Sequence, residues 1–89
     1  MRVCARAAKV AEGTELIVTT TASHSAHFPA AAVRAGTHIT GVGADAPGKQ
    51  ELDPALFSRA GIVVADSIAQ CADHGDLAPA LAAGTIALE

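Results

Sequence analysis

A glycine-rich turn that follows a predicted β-strand carries the residues of this chain best suited to chemistry. The strand at residues 38–42 runs into Gly43, Asp45, Pro47 and Lys49. Ligands of α/β proteins collect at the carboxyl ends of parallel strands, and glycine lets a ligand come close to the backbone there. The two charged side chains are left to act on that ligand, so the turn is a candidate site.

Three apolar runs predict the strands that would position this turn. They occupy residues 16–20, 38–42 and 62–65, and each is continuous rather than alternating. Such runs are typical of parallel strands that are covered on both faces. Helix-compatible segments flank them at residues 5–12, 28–35, 54–59, 68–72 and 77–82, with stops at Gly13 and Gly36 and starts at Asp53, Asp66–Ser67 and Asp76. This alternation predicts an open α/β sheet.

Composition limits the chain to one small domain over residues 1–89. The apolar fraction is 51%, but nearly half of it is alanine, and the only aromatic residues are Phe28 and Phe57. Because alanine buries little area, the predicted core is thin, which is typical of a piece of a larger domain. The net charge of −3 comes without runs of like charge, so a nucleic-acid groove is not expected.

Cysteine usage and hydropathy bear on location. Cys4 and Cys71 fit no C-x-x-C pattern, which favours two free thiols in a reducing cytosol. No segment approaches the roughly 18 apolar residues of a membrane span. We therefore expect a cytoplasmic protein with no membrane partner.

Two further motifs match known sites only in part. Residues 43–50 nearly spell a P-loop, but Gln50 replaces the Mg²⁺-binding hydroxyl, Pro47 lacks a backbone donor, and Asp45 would repel phosphate. His24 and His27 have no third metal ligand nearby, so solvated histidines and no metal are expected. The hydroxyl-rich residues 19–23 allow two interpretations, a cofactor contact or an ordinary strand end with its turn.

Taken together, these motifs resemble the ornithine cyclodeaminase/mu-crystallin family. The likeness lies in Ile17-Val18-Thr19-Thr20-Thr21 and in the phrase from Gly36 to Asp45. It continues through Pro47 to Asp53, then in residues 63–67 and in Gly75-Asp76-Leu77. The resemblance implies a Rossmann domain that binds NAD, with NADP left open, beside a separate substrate and dimerisation domain. The type reaction of such enzymes is a lyase reaction of amino-acid metabolism that converts L-ornithine to L-proline and ammonia by transient hydride transfer.

The resemblance also implies roles for individual residues. Asp45 matches the catalytic carboxylate, which accepts a proton or orients the attacking amine or water. The positions that match cofactor contacts are Thr21, Ala22, Val42, Gly43 and Lys49. Mu-crystallin-like members lack an acid at the position of Asp45, so its presence favours the cyclodeaminase-like branch.

Two motifs of the family are not found in this sequence, and their absence indicates how much of the Rossmann domain to expect. No strand–G-x-G-x-x-G–helix unit is found, and the family's substrate-binding arginine and lysine lie in a part that is not matched. We therefore expect the second half of a dinucleotide-binding domain, a partial Rossmann-like sheet of three or four parallel strands with flanking helices. Such a fragment would be inactive alone and would self-associate through its exposed sheet edge or form a homo-oligomer, with an amino-acid substrate in the complete enzyme. The alternative is a non-catalytic remnant that binds a partner chain.

Overall fold

Two parallel strands and four short helices make up the part of the chain that the structure, a computed structural model, describes, which is residues 3–84. The strands are β1 (Leu16–Thr19) and β2 (His38–Gly41), paired from Leu16 opposite His38 to Thr19 opposite Gly41. The helices are α1 (Ala7–Glu12), α2 (Ala55–Arg59), α3 (Ile68–Asp73) and α4 (Leu77–Ala82), with a 3₁₀ turn at Ala30–Ala32. The α/β class and the parallel sheet are confirmed.

The four helices lie where local signals predicted them. The Ser67 side chain accepts a hydrogen bond from the Gln70 N–H at 3.3 Å and so caps α3. At the start of α2, Asp53 Oδ1 accepts from the Ala55 N–H at 3.0 Å. No helix within residues 3–84 is long and apolar enough to cross a membrane.

The predicted helix at residues 28–35 is wrong, because only the 3₁₀ turn Ala30–Ala32 forms there. Side chains from a distant segment bind the backbone of this turn. Asp53 Oδ2 accepts from the Ala30 N–H at 2.8 Å, and the Arg59 guanidinium donates to the carbonyls of Ala30 and Val33. Gly36, the predicted helix stop, instead closes a turn with φ +84°.

The predicted strand at residues 62–65 is also not formed, so the described sheet has two strands rather than three or four. Ile62 is 85% exposed and Val64 is 86% exposed. A parallel strand needs a hydrogen-bonded neighbour and helices over both faces. Residues 3–84 do not provide that cover for this segment.

The core lies on one side of the sheet. Ile17 packs there with Phe28, Val33, Leu52 and Leu56, and the remaining buried members of the cluster are alanines. On the opposite face of β1, Leu16 is 62% exposed and Val18 is 56% exposed. Thus the described residues cover one face of the sheet, whereas the apolar runs predicted cover on both.

The uncovered face leads us to expect a chain that is marginally stable and self-associates. An unpaired strand edge beside exposed Leu16 and Val18 is a template for pairing with another copy, and the thin core leaves little free energy to oppose this. Val18→Lys should weaken association in sedimentation velocity, whereas Val3→Lys, at a 91% exposed position outside the sheet, should not. A monomer whose cooperative melt lies above about 60 °C at every protein concentration would contradict the expectation.

Candidate functional site

A cleft of about 280 Å³ opens at the carboxyl ends of β1 and β2. Thr20, Thr21 and Ala22 line it after β1. Val42, Gly43, Asp45 and Lys49 line it after β2. The structure thus brings together all six residues that the sequence singled out, and adds Thr20. The parallel register places both strand ends at the same edge of the sheet, which explains why residues about 20 positions apart meet.

Asp45 and Lys49 form an ion pair inside this cleft. Lys49 Nζ donates to Asp45 Oδ1 at 2.8 Å, and the Asp45 side chain is 68% exposed. The hydrogen bond from Lys49 and its positive charge lower the pKa of the Asp45 carboxyl below its ordinary value. Asp45 is therefore an ionised carboxylate at neutral pH that a ligand in the cleft could reach.

Gly43 is required by the chain's own backbone. A Cβ added at this position would lie 2.1 Å from the Thr21 carbonyl oxygen and 2.7 Å from Cδ of Glu51. The sequence suggested that this glycine makes room for a ligand. In the structure the close neighbour of Gly43 is the end of β1, so the missing side chain lets the two strand ends meet.

Glu51 holds those two strand ends together, and sequence reasoning missed it. Its side chain is fully buried, and its oxygens accept from the backbone N–H groups of Thr21 at 2.6 Å and Gly43 at 2.7 Å. Burial raises the pKa of the Glu51 carboxyl, but its hydrogen-bond donors, the Thr21 N–H first among them, together outweigh burial and leave the pKa below its usual value. The only sequence signal was an acid directly before the apolar Leu52.

Asp76 supports Glu51 rather than capping a helix. It stands at the start of α4 as predicted, but its side chain makes no cap hydrogen bond. Asp76 Oδ1 instead accepts from the backbone N–H groups of Glu51 at 2.6 Å and Leu52 at 2.8 Å. Burial raises the pKa of Asp76, although these donors oppose the shift. A residue expected to act locally therefore anchors the segment behind the cleft.

The two histidines that were expected to be solvated contact the same framework. His27 Nε2 lies 2.8 Å from Thr21 Oγ1 and 3.6 Å from Glu51 Oε2. His24 Nδ1 lies 3.1 Å from the Gly48 carbonyl oxygen. Both rings therefore connect the loop after β1 with the segment after β2.

Comparisons with known proteins agree with this architecture. Residues 1–87 match the model of the ornithine cyclodeaminase/mu-crystallin family. Among curated relatives, an uncharacterised cyclodeaminase of Sinorhizobium fredii is 44% identical over 75 residues, which is 84% of this chain and 23% of that protein. Alanine dehydrogenase of Archaeoglobus fulgidus is 42% identical over 82 residues, which is 92% of this chain and 25% of that protein. Iminosuccinate reductase of Paracoccus denitrificans is 44% identical over 72 residues, which is 81% of this chain and 22% of that protein.

A solved structure shares the fold as well as the sequence. An archaeal alanine dehydrogenase dimer with bound NAD superposes with a TM-score of 0.77 at 36% identity, over 90% of this chain and 24% of that chain. The chain spans about a quarter of the length of these relatives. Since the family match covers nearly all of its residues, the chain belongs to the ornithine cyclodeaminase/mu-crystallin family.

Proposed function

We propose that this chain supplies the nicotinamide side of the cofactor cleft in an NAD-dependent enzyme that acts on small amino or imino acids. The observation that carries the proposal is the cleft between the two strand ends, which gathers the family-type acid Asp45, Lys49 and the Thr21 strand end. The relatives named as alanine dehydrogenase, iminosuccinate reductase and cyclodeaminase support this substrate class. Conversion of L-ornithine to L-proline and ammonia is the specific reaction that we propose within that class.

The residues of the cleft fit the nicotinamide ribose end of such a cofactor. The hydroxyl groups of Thr20 and Thr21 can form hydrogen bonds with ribose hydroxyls. The backbone beside Ala22 and Val42 lines the cleft where a flat ring could lie. The Lys49 ammonium can donate to phosphate or hydroxyl oxygens. When bound, the nicotinamide would accept or donate a hydride.

Asp45 would perform the proton chemistry in that enzyme. Its charged, exposed carboxylate can accept a proton from a substrate amine or orient an attacking amine or water. Lys49 orients Asp45 through their ion pair and lowers the pKa of its carboxyl, and it would contact the cofactor from the same position. Asp45 would thus accept the proton, and Lys49 would bind the cofactor.

A chimeric enzyme tests the proposal. This chain would replace the matching quarter of the Archaeoglobus alanine dehydrogenase, and NAD binding and turnover would be measured with alanine, ornithine and imino acids. We expect NAD binding and hydride transfer with alanine, the substrate of the parent enzyme, because the substrate-binding part of the chimera comes from that parent. A chimera that folds and assembles like its parent but does not bind NAD would contradict the proposal.

For the 89-residue chain alone we predict negligible affinity for NAD(H). The pyrophosphate of a dinucleotide normally rests on a glycine-rich loop at a helix N-terminus, and the sequence offers no such loop. Only contacts at the nicotinamide end would be left. Isothermal titration calorimetry should show a dissociation constant weaker than about 1 mM, equivalent to about 4 kcal/mol of binding free energy. Micromolar binding would refute the prediction.

A second candidate function is that of a non-catalytic remnant that binds a partner chain. The observation that favours it is the exposed apolar face of β1 at Leu16 and Val18. Assembly would cover this face, either as a homo-oligomer or by self-association.

We also propose a cytoplasmic location, supported by the two free cysteines, Cys4 and Cys71.

A further inference from the structure

Glu51 is a buried charged residue that the proposed chemistry leaves unused. Its side chain has no exposed area, and burying a carboxylate is costly unless hydrogen bonds compensate it. Here both oxygens are occupied by different partners, Oε2 by the Thr21 N–H and Oε1 by the Gly43 N–H. Charge-assisted hydrogen bonds of 2.6 and 2.7 Å are short for N–H donors, which indicates a firm contact.

The two partners of Glu51 belong to opposite walls of the cleft. Thr21 follows β1 and Gly43 follows β2, and each lines the cleft. Beyond the last paired residues of the strands, the sheet register alone no longer fixes their separation. One carboxylate that binds one amide on each side fixes that separation, and the absent side chain of Gly43 permits the close approach.

Glu51 is itself held from two directions. Asp76 accepts the Glu51 N–H at 2.6 Å, so the backbone beside the carboxylate is anchored to the start of α4. His27 lies 3.6 Å from Glu51 Oε2 and 2.8 Å from the Thr21 hydroxyl, so it orients a side chain of the cleft against the same carboxylate. The carboxylate is therefore fixed relative to both the helix behind it and the cleft before it.

We propose that Glu51 is a positioning residue for the nicotinamide end of the cofactor cleft. Its carboxylate holds the backbones of Thr21 and Gly43 at the separation that admits a nicotinamide ribonucleotide. This inference rests on the proposed function, but it concerns a residue outside the cleft lining. It acts through the two strand ends and touches neither the ring nor the substrate.

The test uses the ¹⁵N-labelled 89-residue chain and nicotinamide mononucleotide as the probe, at millimolar concentration. Glu51→Gln keeps the shape but replaces one acceptor oxygen by a donor group, which opposes a backbone N–H. In the absence of probe we expect upfield shifts and faster hydrogen exchange of the Thr21 and Gly43 amides. With probe we expect shift changes at the cleft residues of the wild type and about tenfold weaker binding in the variant.

Glu12→Gln is the matched control, because it removes the same charge at an exposed position on α1. It should leave both amides and the probe affinity unchanged. If Glu51→Gln fails to fold, amide exchange in the wild type still tests whether Glu51 binds these two amides. Thr21 and Gly43 amides that exchange as fast as those of exposed loops would overturn the inference.

The remaining outcomes separate the inference from the proposed function. Equal probe affinity in the wild type and in folded Glu51→Gln would overturn the positioning role while the proposed function stands. Protected Thr21 and Gly43 amides without any probe-dependent shift at the cleft would overturn the positioning role toward nicotinamide, because the separation that Glu51 fixes would then not admit the probe. The proposed function would still stand, since NAD binding by the chimeric enzyme tests it.

Discussion

Asp45→Asn should lower turnover by about 10²–10⁴-fold in a complete enzyme that contains this chain, while NAD binding stays nearly unchanged. The substitution keeps the shape of the side chain and removes the negative charge that accepts the proton. Asp45 stands on the turn after β2, exposed to the cleft, and its contact with Lys49 lowers the pKa of its carboxyl. Steady-state kinetics of the chimeric enzyme, with NAD affinity measured separately, would check the expectation.

Two companion variants sharpen this experiment. Asp66→Asn makes the same chemical change at an exposed position that does not line the cleft, so turnover should be unaffected. Lys49→Ala should weaken cofactor binding with a smaller loss of turnover. Because Lys49 lowers the pKa of Asp45, its removal raises that pKa, and the acidic limb of the kcat/KM profile should move to higher pH. Near-full activity of Asp45→Asn would show that Asp45 is only a turn residue.

Features set by local sequence could be predicted, and those set by distant partners could not. Ser67 and Asp53 act on amides within three residues, so the starts of α3 and α2 followed from residue type and spacing. The segment at residues 28–35 forms only a 3₁₀ turn, and its backbone is bound by Asp53 and Arg59, more than 20 positions away. Its helical pattern carried no information about those contacts.

The candidate site divides in the same way. The cleft lining was predictable, because parallel strand ends share an edge and the turn residues follow directly in sequence. The roles of Glu51 and Asp76 could not be predicted, because their hydrogen-bond partners lie on other segments of the chain. The residue type alone does not distinguish a buried acid from a surface acid. The apolar run at residues 62–65 shows the converse, since strand-like composition does not form a strand without neighbours.

Gly43→Ala should lower the free energy of unfolding by about 3 kcal/mol or more, at the upper end of overpacking effects. An added Cβ would lie 2.1 Å from the Thr21 carbonyl oxygen and 2.4 Å from the Thr21 nitrogen. Both atoms belong to backbone, so no side chain can rotate away, and the strand ends must separate. That separation would also lengthen the hydrogen bonds from Thr21 and Gly43 to Glu51.

Urea denaturation followed by circular dichroism measures this effect, with Gly61→Ala as the matched control. An added Cβ at Gly61 has no atom within 4 Å, and its φ lies outside the left-handed region, so the control should change stability by less than about 0.5 kcal/mol. Small domains have a total stability of about 5–15 kcal/mol, so the loss at Gly43 would be a large fraction of it. Equal stability of the two variants would mean that the strand ends are not held in close contact in solution. The positioning role proposed for Glu51 would then lose its geometric basis.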